Sequence, residues 1–217
     1  YALPEDVSVS SIMSSLGDDV TGVITEGGAC SQIASGTWVG SQCNLLPENG
    51  YWIIVTTDAV LSVFDAVPTD SGITYNLYSG ANLISFPSDG SIGVSEGLPD
   101  DIEGFVVGVI TEGGACSQIE PGTWVGSHCS FHGTHGYWMI TTANISFSFD
   151  FSTLGRTNIA YKQEKLSGYE YTQSSKQAFY FIESVENINT GDWILSYNGV
   201  KLIGSRQWQG AIIDVPA

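Results

Sequence analysis

The chain carries the segment Gly22-Val23-Ile24-Thr25-Glu26-Gly27-Gly28-Ala29-Cys30-Ser31-Gln32-Ile33 twice, and the second copy, residues 108–119, is identical. The offset is 108 − 22 = 86 residues, and it also carries residues 36–41 onto 122–127 and residues 50–52 onto 136–138. A repeat of this length and fidelity indicates two copies of one structural unit. We therefore predict two domains of the same design in tandem.

The composition predicts an all-β protein. The 217 residues include 26 Gly, only 13% are charged, and Thr, Ser, Val, Ile and aromatic residues are frequent, as is typical of short strands and tight turns. We predict two tandem, disulfide-stapled small β domains, each with at most one short helix, and a third small β-sheet module. Their predicted bounds are residues 1–70 (repeat 1), 71–153 (repeat 2) and 154–217 (the third segment).

The four cysteines occupy the same two places in each repeat, because Cys30 and Cys43 are 13 residues apart and so are Cys116 and Cys129. Pairing within each repeat is the simplest arrangement, and each bridge would stabilise its unit by roughly 3 kcal/mol by restricting the unfolded chain. The Cys-x-x-Cys spacing of many zinc and haem sites does not occur in the sequence. Since disulfides form in oxidising compartments, we expect an extracellular or cell-surface protein.

The net charge of −17 is unevenly distributed. All six Lys and Arg residues follow residue 155, whereas the residues before it include 17 Asp and Glu. Nucleic acid is excluded as a partner of the repeats, because phosphate binding needs cations. A solvated acidic surface explains the charge, and calcium, which prefers oxygen ligands, is compatible with it but not predicted as a cofactor. No apolar run in the sequence is long enough to span a bilayer.

Within repeat 1, Ser8 is placed to cap a short helix and Gly17 to end it. The apolar residues between them have helical spacing: Val9, Ile12, Met13 and Leu16. Residues 51–57 and 60–64 are predicted to form a hairpin, in which Leu61 and Val63 keep one face apolar.

Repeat 2 opens with a segment that repeat 1 does not have. Residues 73–86 are predicted to form two strands around Ser79 and Gly80, and the 86-residue offset maps Phe86 to the position just before Tyr1. A β unit that lacks a strand exposes an unpaired edge. We expect this strand either to have been cut from the chain or to come from a neighbouring subunit by strand addition.

The third segment has a different pattern. Strands are predicted over residues 178–185, 193–197, 200–205 and 211–215, with Asn198-Gly199 as a two-residue hairpin turn. Because so few strands can enclose only a small apolar core, this module is predicted to be incomplete.

Residues 191–208, Gly-Asp-Trp-Ile-Leu-Ser-Tyr-Asn-Gly-Val-Lys-Leu-Ile-Gly-Ser-Arg-Gln-Trp, resemble a β module of secreted bacterial surface proteins of the type IX secretion kind. Residues 80–87, Gly-Ala-Asn-Leu-Ile-Ser-Phe-Pro, are similar to the strand that opens tandem repeats in such proteins. The resemblance implies a processed fragment of an exported precursor that lacks the C-terminal sorting domain. It implies no catalytic residues.

Two motifs suggest chemistry, and each has a plainer explanation. Residues 93–97 match the Gly-x-Ser-x-Gly motif of serine hydrolases, but Ser95 falls on a short helical segment outside any α/β pattern. The three histidines, His128, His132 and His135, could gather around a transition metal. An exposed polar loop beside Cys129 is the interpretation we favour.

Acidic and aromatic residues suggest two further kinds of site. Glu26 and Glu112 precede Gly-Gly in the two repeats and could ligate calcium. The acidic cluster of Asp100, Asp101 and Glu103 could do the same, although a solvated turn is favoured there. The aromatic residues common to both repeats could stack on sugars, although a core role is favoured; they are Trp38, Trp52, Trp124, Trp138, Tyr51 and Tyr137.

These observations predict a non-enzymatic extracellular structural subunit that assembles with copies of itself into a filament, sheath or surface layer by strand complementation. The alternative is a carbohydrate- or surface-binding adhesin module of a longer exported protein. We predict no catalytic, cofactor-binding or metal-binding residues, and two disulfides formed by Cys30, Cys43, Cys116 and Cys129.

Overall fold

A computed structural model of the chain describes residues 1–153, 166–172 and 178–217. The fold is mostly β, with 45% strand, 10% helix and two disulfides, which confirms the predicted all-β class. Among the described residues, no helix is long and apolar enough to cross a membrane.

Repeat 1 is built on a four-stranded antiparallel sheet of order β4-β3-β2-β5, beside a small β1-β6 pair. Its strands are β1 (Ala2–Leu3), β2 (Val20–Thr25), β3 (Gly28–Ala34), β4 (Thr37–Gly40), β5 (Trp52–Val55) and β6 (Val67–Pro68). Its helical elements are α1 (Val9–Ile12) and a 3-10 helix (Met13–Asp19).

The predicted helix cap of repeat 1 is confirmed. The Ser8 hydroxyl accepts a hydrogen bond from the Ser11 N–H at 3.3 Å, which satisfies one of the free donors of the first turn. Gly17 adopts a φ of 56°, which interrupts the helical backbone. The apolar side chains predicted to share one face are all buried: Val9, Ile12, Met13 and Leu16.

Repeat 2 forms the same sheet with one more strand, in the order β12-β11-β10-β14-β8. Its strands are β7 (Tyr75–Leu77), β8 (Gly80–Ser85), β9 (Ser91–Gly93), β10 (Val106–Thr111), β11 (Gly114–Glu120), β12 (Thr123–Gly126), β13 (Ser130–His132), β14 (Gly136–Thr141) and β15 (Ile145–Phe147). Its helices are α2 (Val94–Gly97) and α3 (Asp100–Glu103). The identical segments occupy β2-β3 and β10-β11, as their sequence identity predicts.

The predicted hairpin between residues 51–57 and 60–64 is wrong. Residues 60–64 form no strand, and in repeat 2 the matching strand β15 pairs with β7 rather than with β14. Strand β7 belongs to the opening segment that repeat 1 does not have among its described residues. Residues 60–64 therefore have no strand to pair with.

Each repeat has its own apolar core. The core of repeat 2 is the larger and is rich in aromatic rings, including Tyr75, Phe86, Phe131, Tyr137, Phe147 and Phe149. The core of repeat 1 is smaller and aliphatic, built on Val9, Ile12, Met13, Leu16, Val20, Val23, Cys30 and Leu45. The strands β7 and β8 contribute Tyr75, Leu77 and Ile84 to the larger core, which accounts for part of the difference.

The third segment contributes the strands β16 (Phe179–Ile182), β17 (Trp193–Asn198), β18 (Lys201–Gln207) and β19 (Ile213–Pro216). Strand β16 pairs with β19, and β17 pairs with β18. The hairpin turn lies one residue later than predicted, because Asn198 pairs with Lys201 and the loop is Gly199-Val200. Gly199, with a φ of 62°, supplies the left-handed backbone conformation that a two-residue turn requires.

Candidate functional site

The outer edge of β5 is the clearest difference between the repeats. In repeat 2, β14 pairs with β10 on one edge and with β8 on the other. In repeat 1, β5 pairs with β2 and ends the sheet, and no strand among the described residues covers its other edge. Since the two sheets otherwise match, repeat 2 serves as an internal reference for what is missing at β5.

Matched positions on β5 and β14 differ sharply in burial. Met139 is 0% exposed, whereas its counterpart Ile53 is 36% exposed. Thr141 is 4% exposed, whereas its counterpart Val55 is 43% exposed. Strand β8 borders this part of β14 in repeat 2, whereas no strand among the described residues borders the matched part of β5.

A groove of about 200 Å³ runs beside this uncovered edge. Its apolar lining comes from β1, the 3-10 helix, the loop after β4, β5 and residues 60–64 of repeat 1: Leu3, Met13, Leu45, Ile53, Leu61 and Val63. Thr134 and His135 of repeat 2 lie at its far side. The groove is therefore continuous with the apolar core of repeat 1 and bounded by both repeats.

A tyrosine at the start of β5 and its counterpart on β14 make the same hydrogen bond in the two repeats. The hydroxyl of Tyr51 accepts a hydrogen bond from the Leu46 N–H at 2.7 Å, and the hydroxyl of Tyr137 accepts one from the His132 N–H at 2.7 Å. Burial raises the pKa of Tyr51 above its ordinary value. The matched tyrosines Tyr51 and Tyr137 therefore make the same contact at the start of the two strands.

Glu26, one of the calcium candidates, lies at the junction of the repeats. Its Oε2 accepts a hydrogen bond from the backbone N–H of Leu83 on β8 at 3.0 Å. The same side of β8 is bound by repeat 1 through Gly50 N–H to Leu83 O at 3.0 Å and Ser85 N–H to Glu48 O at 3.0 Å. Strand β8 therefore joins the repeats. The only sequence signal for this role of Glu26 is its repetition as Glu112.

The third segment docks on repeat 2 through Asp214, which is fully buried. Its carboxylate accepts hydrogen bonds from the Ala115 N–H at 3.1 Å and from the Ser127 hydroxyl at 2.9 Å. The Arg206 guanidinium pairs with the same carboxylate and also donates to Gly113 O at 2.7 Å. Sequence reasoning missed this site, since neither Asp214 nor Arg206 lies in a motif.

Both predicted disulfides are present, between Cys30 and Cys43 and between Cys116 and Cys129. Each links β3 or β11 to the loop that follows the next strand, and Cys30 and Cys116 are buried. The second bridge lies beside the Asp214 contacts on Ala115 and Ser127.

The prediction that the histidines form an exposed polar loop is wrong for two of them. His128 is 8% exposed and His132 is 7% exposed, because the loop folds over Gly114 and the core of repeat 2. Burial lowers the pKa of His128 to about 4, with Arg206 lowering and Asp214 raising it. The rings of His132 and His135 lie 6.1 Å apart between centroids. Among the described residues, no group of three or more His, Cys, Asp or Glu could hold a metal ion.

The hydrolase-like Ser95 lies on α2, and its hydroxyl donates a hydrogen bond to Glu103 Oε1 at 2.6 Å. The same oxygen accepts a hydrogen bond from the Trp124 indole N–H at 2.7 Å. Glu103 therefore links two structural elements, while its neighbours Asp100 and Asp101 lie in the first turn of α3. These contacts give Ser95 and Glu103 a structural role.

The four repeated tryptophans are all half-buried. Trp38 and Trp124 pack against the cores of their repeats, as the favoured interpretation predicts. Trp52 instead lines a cavity of about 260 Å³ together with Tyr51 and Glu112. Its buried indole N–H has no hydrogen-bond partner among the described residues.

Comparison of the chain with family models, curated proteins and solved structures gave no match.

Proposed function

We propose that the protein is an extracellular structural subunit that assembles into a filament, sheath or surface layer, in which a strand from a neighbouring subunit pairs with the outer edge of β5. The observation that carries the proposal is a difference in burial. Ile53 on β5 is 36% exposed, whereas its counterpart Met139, on the strand that pairs with β8, is 0% exposed. The matched strands differ here because β14 also pairs with β8, whereas no strand among the described residues pairs with the outer edge of β5.

An added strand would satisfy the outer edge of β5 and cover the groove beside it. Unpaired strand edges act as templates for pairing with another chain, and strand addition combines backbone hydrogen bonds with side-chain burial. The apolar residues at this edge favour burial by such a strand over contact with water.

The predicted compartment and the absence of catalysis belong to the same proposal. The two disulfides favour an oxidising environment. The roles of Ser95 and Glu103 in holding α2 to Trp124 support a structural rather than a catalytic assignment. The resemblance of residues 80–87 and 191–208 to modules of exported surface proteins agrees with an extracellular subunit.

The test measures the molar mass of the full chain in solution by light scattering, followed by electron microscopy. We expect masses well above the 23.1 kDa of one chain and a regular polymer. Ile53→Glu should prevent assembly by placing a charge in the groove. Ile54→Glu is the matched control, because Ile53 and Ile54 are 36% and 37% exposed but Ile54 does not line the groove. A monodisperse monomer of the wild type, or equal assembly by both variants, would refute the proposal.

A carbohydrate-binding role is the second candidate, favoured by the presence of Tyr51 and Trp52 in the cavity of about 260 Å³. Aromatic rings of this kind stack on sugars. Binding to a glycan array that is lost in Trp52→Ala, by a chain that stays monomeric, would support this candidate over assembly.

A further inference from the structure

We propose that repeat 1 carries a carboxylate-binding site, formed by the backbone N–H groups of Ala29 and Ser41 and by the Ser41 hydroxyl. Its ligand is an acidic side chain of a peptide that also carries a guanidinium group. This site lies apart from the edge of β5, and its occupation does not require strand pairing there.

The matched site of repeat 2 shows which chemistry these groups bind. The Asp214 carboxylate accepts hydrogen bonds from the Ala115 N–H at 3.1 Å, from the Ser127 N–H and from the Ser127 hydroxyl at 2.9 Å. The Arg206 guanidinium lies 3.0 Å from this carboxylate and donates a hydrogen bond to Gly113 O at 2.7 Å. Three donors and a cation compensate the carboxylate for the loss of water.

Repeat 1 has the same binding groups. In repeat 2 the groups that bind the ion pair are two backbone N–H groups, one backbone carbonyl and one serine hydroxyl. The 86-residue offset matches their residues with identical ones in repeat 1, namely Gly27 with Gly113, Ala29 with Ala115 and Ser41 with Ser127. Both repeats therefore offer the same donors and the same acceptor.

The backbone around these groups also has the same geometry in both repeats. The N–H of Gln42 donates to Ala29 O at 3.3 Å, and the N–H of His128 donates to Ala115 O at the same distance. The turn glycine before the alanine has a φ of 74° in repeat 1 and 84° in repeat 2. The bridged cysteines next to the site have Cα atoms 5.1 Å and 5.0 Å apart. The donors of repeat 1 are therefore arranged as in the filled site.

A side chain covers the same glycine in both sites. A Cβ on Gly28 would lie 2.1 Å from the Gln42 Cγ, and a Cβ on Gly114 would lie 1.8 Å from the His128 Nδ1. Glutamine in repeat 1 therefore takes the place of histidine in repeat 2, and the surroundings of the serine keep their shape.

The two sites differ in their exposure. In repeat 2, β19 packs on β11 and β12 and covers the site, so that Ala115 is only 1% exposed. In repeat 1, Ala29 is half-buried, and Gly27 and Ser41 are exposed, whereas their counterparts are buried and half-buried. The donors of repeat 1 are therefore accessible to a ligand from solution.

Charge determines which carboxylates fit. Residues 1–155 include 17 Asp and Glu and no Lys or Arg, so a lone anion is repelled by the repeats. In repeat 2 the Arg206 guanidinium accompanies the carboxylate and donates to the carbonyl of Gly113. The carbonyl of Gly27 is the matched acceptor in repeat 1. The ligand is therefore a peptide in which an acidic side chain and an arginine lie side by side.

The test titrates the ¹⁵N-labelled full chain with a cyclic peptide and follows the backbone amides by NMR. The peptide has the sequence of residues 204–216, Gly-Ser-Arg-Gln-Trp-Gln-Gly-Ala-Ile-Ile-Asp-Val-Pro. We expect saturable shifts of the Ala29 and Ser41 amides. Their absence, or shifts of the Ala115 and Ser127 amides alone, would overturn the proposal.

Two altered peptides test the two charges of the ligand. The Asp214→Asn peptide should not shift the Ala29 and Ser41 amides, because it lacks the carboxylate. The Arg206→Gln peptide should bind roughly tenfold more weakly, because hydrogen bonds from a charged donor are stronger than those from a neutral one. Equal binding of the Asp214→Asn peptide would overturn the site, and equal binding of the Arg206→Gln peptide would overturn the need for a guanidinium.

Ser41→Ala in the protein tests the hydroxyl donor. We expect roughly tenfold weaker peptide binding, because a hydrogen bond to a charged group is lost. Ser35→Ala is the matched control, since it removes a hydroxyl from another exposed serine, in the turn between β3 and β4. Equal affinities of the two variants would overturn the role of the Ser41 hydroxyl. Ile53→Glu should bind the peptide as the wild type does, so loss of assembly and loss of this site are distinguishable.

Discussion

The guanidinium of Arg206 lies 3.0 Å from the carboxylate of Asp214, whose side chain has no exposed surface. This ion pair belongs to the third segment, yet Asp214 also accepts hydrogen bonds from Ala115 and Ser127 of repeat 2. The pair therefore serves as the polar centre of the contact between two parts of the chain that are far apart in sequence.

Asp214→Asn should destabilise the docking of the third segment on repeat 2. The change leaves Arg206 without its counterion in a buried position, for which losses of about 3 kcal/mol or more are typical. Chemical denaturation should reveal a lower free energy of unfolding, and limited proteolysis should cleave the third segment faster. Glu186→Gln, at an exposed position, removes the same charge and should have little effect. Equal stability of the two variants would contradict this account of Asp214.

The free energy of unfolding should decrease as the pH is lowered, because of His128. Burial lowers the pKa of His128 in the folded protein to about 4 from 6.5, so the unfolded chain binds a proton more readily than the folded one. Stability from this group is present above about pH 6.5 and is lost as the pH falls toward 4, by up to about 3 kcal/mol, since one pKa unit corresponds to about 1.4 kcal/mol.

His128→Gln should flatten this dependence, because glutamine does not titrate and already stands at the matched position as Gln42. Denaturation curves between pH 4 and 7 measure the slope. A smaller slope should remain in the variant, since burial also lowers the pKa of His132. An unchanged slope in the variant would assign the effect to other groups.

Gly50→Ala and Gly136→Ala should differ in their effects, although the residues are equivalent in the repeats. A Cβ at Gly50 would lie 2.6 Å from the Ile84 carbonyl oxygen, whereas the nearest atom to a Cβ at Gly136 would be 3.5 Å away. We expect Gly50→Ala to cost about 1–3 kcal/mol by forcing β8 away from repeat 1. Gly136→Ala should be tolerated. The midpoints of urea unfolding provide the comparison, and the reverse order would contradict the described packing of β8.

Removing the Cys30–Cys43 bridge in the variant Cys30→Ala/Cys43→Ala should lower the stability of repeat 1 by roughly 3 kcal/mol, because the unfolded chain regains the freedom of the closed loop. The variant should unfold at a lower denaturant concentration than the wild type. Because the Cys30–Cys43 bond is absent, a reductant should lower the stability of its repeat 1 no further. Equal stability of the wild type and the variant would show that packing around Cys30 alone maintains the repeat.

Ser95 should not react with a fluorophosphonate probe for serine hydrolases, because its hydroxyl is bound to Glu103 within a structural contact to Trp124. Ser95→Ala should lower stability by about 1 kcal/mol through loss of that hydrogen bond. Mass spectrometry of the treated protein and thermal denaturation of the variant are the measurements. Covalent labelling of Ser95 would restore the hydrolase hypothesis.

The repeated sequence allowed much of the fold to be predicted. Identical segments must form equivalent elements, so the offset of 86 residues anticipated the matched sheets and the disulfides between Cys30 and Cys43 and between Cys116 and Cys129. The alternation of apolar residues around residues 60–64 predicted a strand that is not there, because a strand also needs a partner, and its partner in repeat 2 is β7.

The candidate site was predicted in part. The sequence contains an opening segment before repeat 2, residues 73–86, and the comparison of the two repeats directs attention to the edge of β5. The hydrogen bond between the Glu26 carboxylate and the Leu83 N–H was not predicted. Local sequence does not reveal which surfaces of the two repeats contact each other. The burial of His128 and His132 was missed for the same reason, since a polar loop becomes buried when the rest of the chain folds over it.

The sequence by itself determined the all-β class, the two-fold repetition, the pairing of the cysteines and the opening segment of repeat 2. These properties depend on local composition and on the internal repeat, both of which can be read along the chain. Only the tertiary structure decided that β8 joins the repeats, that Glu112 and residues 134–136 face β5, and that Asp214 anchors the third segment. These are contacts between residues that are distant in sequence, and the packing of whole sheets, rather than any local pattern, brings them together.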